Sequence, residues 1–98
     1  MARVIVTERA KRDLRYILSD LSEKAGHRVA ERYAADFKAA YRRLADFPSS
    51  GAPRPGLGPN TRIAIVSPYI VIYDDEGGAA TVLRVLHGKR NITRALIR

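Results

Sequence analysis

The segment that decides the fold is Ile63-Ala64-Ile65-Val66-Ser67-Pro68-Tyr69-Ile70-Val71-Ile72-Tyr73. It contains two runs of β-branched and aromatic residues, a composition typical of strands, joined by a two-residue link. A third such run, Thr81–Leu86, follows Asp74–Gly78, which has the acidic and glycine-rich composition of a hairpin turn. Because such short links force neighbouring strands to run in opposite directions, the sequence predicts a small antiparallel sheet. The runs are almost entirely apolar, so both sheet faces are expected to be covered at least in part.

The segment Pro48–Asn60 precedes these strands and contains four prolines and three glycines. Proline lacks a backbone donor and glycine lacks a conformational preference, so this composition predicts a connection without regular structure. A connection of this length is unusual in a small domain, and such loops often carry function.

A strand and a helix are predicted at the start of the chain. Val4-Ile5-Val6 is a short β-branched run, and Thr7 after it is a good helix N-cap. Apolar residues then recur every three or four positions, which indicates one helical stripe formed by Leu14, Ile17, Leu18 and Leu21. Gly26 is expected to end this helix, because glycine tolerates the left-handed conformation found at helix ends.

A second helix is predicted from about His27 to Phe47, with Pro48 ending it. Its stripe mixes aromatic and small residues: Ala30, Tyr33, Ala34, Phe37, Ala40, Tyr41 and Leu44. Small residues let a neighbouring helix approach closely, so the two helices are expected to form an antiparallel hairpin. The predicted fold class is α+β, with an N-terminal strand and a helical hairpin packed on a small antiparallel sheet. The hairpin would cover one sheet face, and the C-terminal tail or another protein would cover the other.

The bulk properties suit one domain, residues 1–98, with a strongly basic surface. The net charge is +8 and the pI is about 10.4, which points to an acidic partner: nucleic acid, an enzyme of nucleic acid, or an acidic peptide. The chain contains no cysteine, which excludes disulfides and cysteine metal sites. No apolar run approaches the ~20 residues that span a bilayer. The expectation is a cytoplasmic protein without membrane contact.

The sequence offers little for catalysis or cofactor binding. The two histidines, His27 and His87, lack metal-ligand spacing, and the glycines near Gly56 lack the Gly-Lys-Ser/Thr ending of a phosphate loop. Asp74, Asp75 and Glu76 cluster, but in a predicted hairpin turn, where solvated carboxylates are the simpler interpretation. No metal, cofactor or catalytic residue is therefore predicted.

The C-terminal quarter concentrates positive charge. Six basic residues fall between positions 84 and 98 without an acid among them: Arg84, His87, Lys89, Arg90, Arg94 and Arg98. This pattern fits either a solvated strand end or an anion-facing patch at the edge of the sheet. His87 could in principle act as a general acid in RNA cleavage, although nearby cations favour its neutral form.

Several motifs together resemble the RelE/ParE toxin superfamily, and its ParE branch in particular. Leu44–Gly51 resembles the end of the second helix and the start of the loop in this family. Arg54–Gly58, followed by Arg62, resembles the end of the same loop. Tyr69–Tyr73 resembles its central strand, and Arg84–Ile92 resembles its last strand and basic turn. Asp13-Leu14 and Ala25-Gly26 extend the match to the helical hairpin, so it spans essentially the whole chain. Asp74 stands where a basic residue is common in the family, and Asn91 where an acid is frequent.

The resemblance implies the toxin of a type II toxin–antitoxin system. ParE toxins inhibit DNA gyrase without catalysis, and a ParD-type antitoxin neutralises them in a hetero-oligomer. The resemblance also implies a target-binding set (Arg54, Arg62, Arg84, His87, Lys89, Arg90 and Arg94). Antitoxin contacts are expected at the margins of the helical stripes, from Leu14, Ile17, Leu18, Leu21, Tyr33, Phe37 and Tyr41, although a role in the core is also open for these residues.

Two other functions stay open at this point. The RelE branch cleaves mRNA on the ribosome, but Asn91–Arg98 lacks its C-terminal tyrosine or histidine, and no lysine lies between Lys38 and Lys89. A basic domain that binds an acidic partner without toxicity is the other alternative. Direct binding of nucleic acid is undecided.

Overall fold

The computed structural model describes residues 3–98; Met1 and Ala2, which the single-domain prediction includes, lie outside the described residues. A five-stranded mixed sheet with the order β1-β5-β4-β3-β2 forms the centre of the fold. Its strands are β1 (Arg3–Val6), β2 (Ala52–Pro53), β3 (Thr61–Val66), β4 (Tyr69–Glu76) and β5 (Ala79–His87). β3, β4 and β5 are antiparallel neighbours, as their short links predict.

Two helices form a hairpin on one face of this sheet. α1 (Glu8–Ala25) begins at Thr7, whose side chain accepts a hydrogen bond from the backbone N of Ala10, as the capping prediction requires. Gly26, at φ 94°, ends α1 and is followed directly by α2 (His27–Asp46). The predicted α+β arrangement of strand, helical hairpin and sheet is confirmed.

The sheet has a hydrophobic cluster on each face. The inner face packs against the hairpin through buried residues that include Phe37, Leu44, Val71, Tyr73 and Val82. The outer face carries a smaller cluster, formed by Ile63, Ile72, Leu86 and Ile97, with Leu57, Ile70, Leu83, Ile92 and Leu96 packed against it. Ile97 belongs to α3 (Arg94–Ile97), so the C-terminal tail supplies part of the cover that the apolar strands require.

Three sequence predictions about the sheet need correction. β1 runs parallel to β5, pairing Val6 with Val82, so the sheet is mixed and not purely antiparallel. The loop before β3 is not wholly irregular, since it contains the two-residue strand β2. Pro53 is tolerated in this strand because β2 lies at the edge of the sheet, where the missing N–H of proline leaves no partner unpaired. Asp74, Asp75 and Glu76 are the last residues of β4, and the turn itself is Gly77-Gly78 with φ values of 59° and 79°.

The partial pairing of β5 explains how α1 is positioned. β1 covers only Ala79–Val82, so the second half of β5 lacks a strand on that side. There, Asp13 of α1 accepts a hydrogen bond from the backbone N of Val85 at 3.0 Å. A side chain thus satisfies a backbone donor that a longer β1 would have paired. Within residues 3–98, no helix is long and apolar enough to cross a membrane.

Candidate functional site

A groove of about 850 Å³ lies on the outer face of the sheet. One wall is the proline-rich loop, Pro53–Leu57, and the other is the tail from Ile92 to Ala95. The floor contains Ile63 of β3 and Ile70 of β4. We call this the outer groove; it joins an apolar floor to a rim that contains Arg54 and Arg94, which are both exposed.

The segment that leads into the loop wall, Pro48–Gly51, is held by Tyr73, which reaches it from the buried centre of β4. The Tyr73 hydroxyl donates to the carbonyl of Pro48 at 2.7 Å and accepts from the backbone N of Gly51 at 2.9 Å. A Cβ on Gly51 would lie 2.5 Å from this hydroxyl, so only glycine fits there without a shift. Arg62 completes the support, because its Nη1 donates to the carbonyls of Ser49 and Gly51.

The tail wall is held by an ion pair between Arg98 and Asp74. Arg98 Nη1 lies 2.8 Å from Asp74 Oδ2, and Thr61 donates to Asp74 Oδ1 at 2.6 Å. Burial alone raises the pKa of Asp74, but the hydrogen bonds from Arg98 and Thr61 and the charge of Arg98 outweigh it, so this pKa lies below its ordinary value. Gly58 makes room for the pair, since a Cβ there would overlap the Arg98 guanidinium and the Thr61 hydroxyl.

Arg84 forms the second attachment of the tail. Its guanidinium binds both carboxylate oxygens of Asp13, at 2.7 and 3.0 Å, and Nη1 donates to the carbonyl of Leu96 at 2.7 Å. The hydrogen bond with Asp13 raises the pKa of Arg84 above its ordinary value. Only 12% of the Arg84 side chain is exposed, so it connects α1 to the tail and presents little charge to a partner.

The structure therefore divides the arginines and the lysine of the predicted target-binding set into two groups. Arg62 and Arg84 pair with Asp75 and Asp13, at 3.6 and 2.7 Å; Arg62 also holds the segment before the loop wall, and Arg84 holds the tail. The other four, Arg54, Lys89, Arg90 and Arg94, are exposed, and their side chains make no ion pair or hydrogen bond with residues 3–98. Gly88, which borders the outer groove, connects β5 to Lys89 and Arg90.

His87 is half-buried at the end of β5. Its Nδ1 accepts a hydrogen bond from the backbone N of Lys89 at 3.0 Å, and its ring meets Tyr69 edge-on, with centroids 5.5 Å apart. The ring is thus fixed by its neighbours and lies outside the outer groove, whose lining contains Gly88 but not His87.

Two of the seven helical residues predicted to contact an antitoxin are buried in the core. Phe37 is 1% exposed and Ile17 is 9% exposed, so their side chains are closed to a partner in this conformation. The other five are half-buried, and all of them except Leu18 pack against the inner cluster: Leu14, Leu18, Leu21, Tyr33 and Tyr41.

Sequence reasoning missed the residues that support the site. Asp74 was interpreted as a solvated turn residue, yet it is 8% exposed and binds Thr61 and Arg98. For Asp13, the sequence indicates only a place in the motif Asp13-Leu14. The positions of these two residues in the sequence could have indicated that they are partly buried. Asp74 directly follows the apolar run of β4, and Asp13 lies beside the apolar stripe of α1.

Comparison with known proteins agrees with this architecture. Residues 4–92 match the family described as ParE toxin of type II toxin-antitoxin system, parDE. The chain is 33% identical over 96 residues to Toxin ParE3 of Caulobacter vibrioides, covering 98% of this chain and 96% of that protein.

Two solved structures are similar in fold. A chain of the chromosomal ParDE toxin–antitoxin system from P. aeruginosa matches with a TM-score of 0.74 and 22% identity, covering 89% of this chain and 96% of that one. A chain of the toxin–antitoxin complex RelBE2 from Mycobacterium tuberculosis matches with a TM-score of 0.57 and 31% identity, covering 88% and 96%. The chain belongs to the ParE toxin family of type II toxin–antitoxin systems, within the RelE/ParE superfamily.

Proposed function

We propose that this ParE-family chain inhibits DNA gyrase by binding it, without catalysis, in the cytoplasm. The observation that supports a binding role is the outer groove, where the unpaired Arg54 and Arg94 flank an apolar floor. Arginine beside apolar surface is the composition of protein–protein contact sites, in which a few residues supply most of the binding free energy. Membership of the ParE family is the reason to choose gyrase as the target.

We further propose that a ParD-type antitoxin neutralises the toxin by occupying the same groove. An amphipathic acidic segment would place apolar side chains on Ile63 and Ile70 and carboxylates beside Arg54 and Arg94. A segment that folds on binding loses several kcal/mol of conformational entropy, which a large wrapped surface offsets. To contact half-buried residues of the hairpin as well, such as Leu18 and Tyr33, the segment would have to wrap around the sheet to its other face.

The test of the target is a supercoiling assay with purified gyrase. The wild-type toxin is expected to inhibit supercoiling, and Arg54→Ala/Arg94→Ala is expected to require about tenfold more protein, because two contact arginines are lost. Arg28→Ala/Arg32→Ala, which removes the same charge from exposed positions of α2, is the matched control and is expected to inhibit like wild type. Unimpaired supercoiling at saturating wild-type toxin would contradict the gyrase proposal.

Two cellular measurements separate this function from the alternatives. Primer extension on mRNA after toxin induction is expected to show no cuts in register with codons, although growth stops. Codon-register cuts would instead assign the chain to ribosome-dependent RNA cleavage. Induction without growth arrest would indicate a basic binding domain without toxicity.

A further inference from the structure

A second concave surface, of about 480 Å³, lies where α1 meets the end of β5. Its lining includes Arg12 and Tyr16 from α1, Tyr69 from β4, His87 from β5 and Arg90 from the basic turn. We call it the α1–β5 surface. It shares no lining residue with the outer groove.

The α1–β5 surface is cationic even though two acids line it. Asp13 is neutralised by Arg84 at 2.7 Å, and Asp20 is paired with Lys24 at 3.1 Å. Arg12 and Arg90, in contrast, are exposed and make no ion pair with any residue between 3 and 98. The uncompensated charge therefore selects an anionic ligand.

The same surface carries aromatic side chains that are open to a ligand. Tyr16 is 71% exposed, which makes it one of the four large hydrophobic residues that the described chain leaves exposed. Tyr69 is held by edge-on contacts with Tyr33 and His87, whose ring centroids lie 5.7 and 5.5 Å away. Since Nδ1 of His87 accepts from the backbone of Lys89, Nε2 is the ring nitrogen left to donate.

We propose that the α1–β5 surface binds single-stranded nucleic acid. A nucleobase would stack on Tyr16, and the flanking phosphates would bind Arg12 and Arg90. Single strands present a planar ring and a negative charge at every nucleotide, and sites for them combine aromatic platforms with basic residues. The carboxylates of an acidic peptide would pair with the two arginines, but such a peptide would offer no planar ring to stack on the exposed Tyr16. This inference does not rest on gyrase as the target.

The test is fluorescence anisotropy with a short labelled oligothymidylate and the full chain. Tyr16→Ala is expected to weaken binding about tenfold, the loss typical of one stacked base, whereas Tyr16→Phe keeps the ring and the affinity. Arg12→Ala/Arg90→Ala is expected to weaken binding and to reduce the slope of log K against log salt by about 1.4, since each phosphate contact on a single strand contributes about 0.7. Arg28→Ala/Arg32→Ala removes the same charge from α2 and is expected to change both quantities much less.

Three outcomes would overturn the proposal. Equal losses in the two double-arginine variants, with Tyr16→Ala binding like wild type, would mean that the oligonucleotide senses net charge only. Equal affinity for the oligothymidylate and for a duplex would contradict stacking of a free base on Tyr16, because the bases of a duplex are already paired and stacked. If polyglutamate displaced the oligothymidylate from the wild-type chain but not from Tyr16→Ala, the surface would be assigned to an acidic peptide. Gyrase inhibition scored on Tyr16→Ala gives a separate readout, because Arg54 and Arg94 are unchanged in that variant.

Discussion

At the scale of single residues, two tyrosine hydroxyls in the interior have opposite environments. The hydroxyl of Tyr73 has two backbone partners, the carbonyl of Pro48 and the N–H of Gly51. The hydroxyl of Tyr41 is buried and has no hydrogen-bond partner among residues 3–98. Burial, together with the negative charge of Asp13, raises the pKa of Tyr41 to about 12. The first hydroxyl thus stabilises the fold, and the second carries an uncompensated loss of solvation.

The same chemical change should therefore have opposite effects at these two positions. Tyr73→Phe is expected to lower the free energy of unfolding by about 1–3 kcal/mol, because it leaves two backbone groups without a partner. Tyr41→Phe is expected to leave it unchanged or to raise it by about 1 kcal/mol, since it removes a buried unsatisfied group. Urea unfolding monitored by circular dichroism measures both. Equal destabilisation by the two substitutions would contradict the contrast in their hydrogen bonding.

How far single residues could be predicted from the sequence depends on how local their interactions are. The cap formed by Thr7 and the helix end at Gly26 involve neighbours in the chain, and both were predicted correctly. The pairing of Arg84 with Asp13 joins residues 71 positions apart, and nothing in the local pattern of either indicates it. For that reason the sequence grouped Arg84 with the exposed cations of the C-terminal quarter.

At the scale of elements, the strands β3, β4 and β5 and their pairing were predictable from the sequence, but the pairing of β1 with β5 was not. β3, β4 and β5 follow one another through short turns, so their pairing is determined locally. β1 is separated from β5 in the chain by the whole hairpin and by the three other strands of the sheet, and its parallel pairing follows from how the hairpin packs. The outer groove is equally non-local, because its walls come from residues 53–57 and 92–95.

The ion pair that holds the tail against the sheet makes stability depend on pH. The pKa of Asp74 is lowered in the folded chain, so its ionised form favours folding. The contribution is fully present well above the ordinary value of 3.8, and it is lost as pH falls below 3.8 through the folded pKa. Asp74→Asn is expected to be less stable than wild type at neutral pH, with the difference shrinking toward pH ~2. Paired urea titrations at the two pH values measure this, with Glu31→Gln, at an exposed position without an ion pair among the described residues, as control. A difference independent of pH would show that Asp74 acts through its shape and not its charge.

At the scale of the whole molecule, the internal ion pairs leave the net charge untouched. Five ion pairs connect described residues, and each uses one cation and one acid, so the +8 remains on the surface. Part of it lies on Arg54 and Arg94 at the rim of the outer groove, and part on Lys89 and Arg90, which follow the end of β5. Long-range attraction of an acidic partner by such a surface raises the association rate, and contact with the apolar floor governs dissociation.

Because the surface charge governs association and the apolar floor governs dissociation, the two rate constants of the proposed antitoxin complex should respond differently to salt. Raising ionic strength from ~0.05 to ~0.5 M is expected to lower the association rate constant about tenfold or more, because the Debye length shortens from more than ~10 Å to a few ångströms. The dissociation rate constant should change far less. Arg54→Ala/Arg94→Ala should flatten the salt dependence of association, whereas Ile70→Ala should speed dissociation and leave that dependence intact. Surface plasmon resonance with the cognate ParD-type antitoxin separates the two rates. If the arginine variant kept the wild-type salt dependence, the charges around the outer groove would not be those that attract the antitoxin.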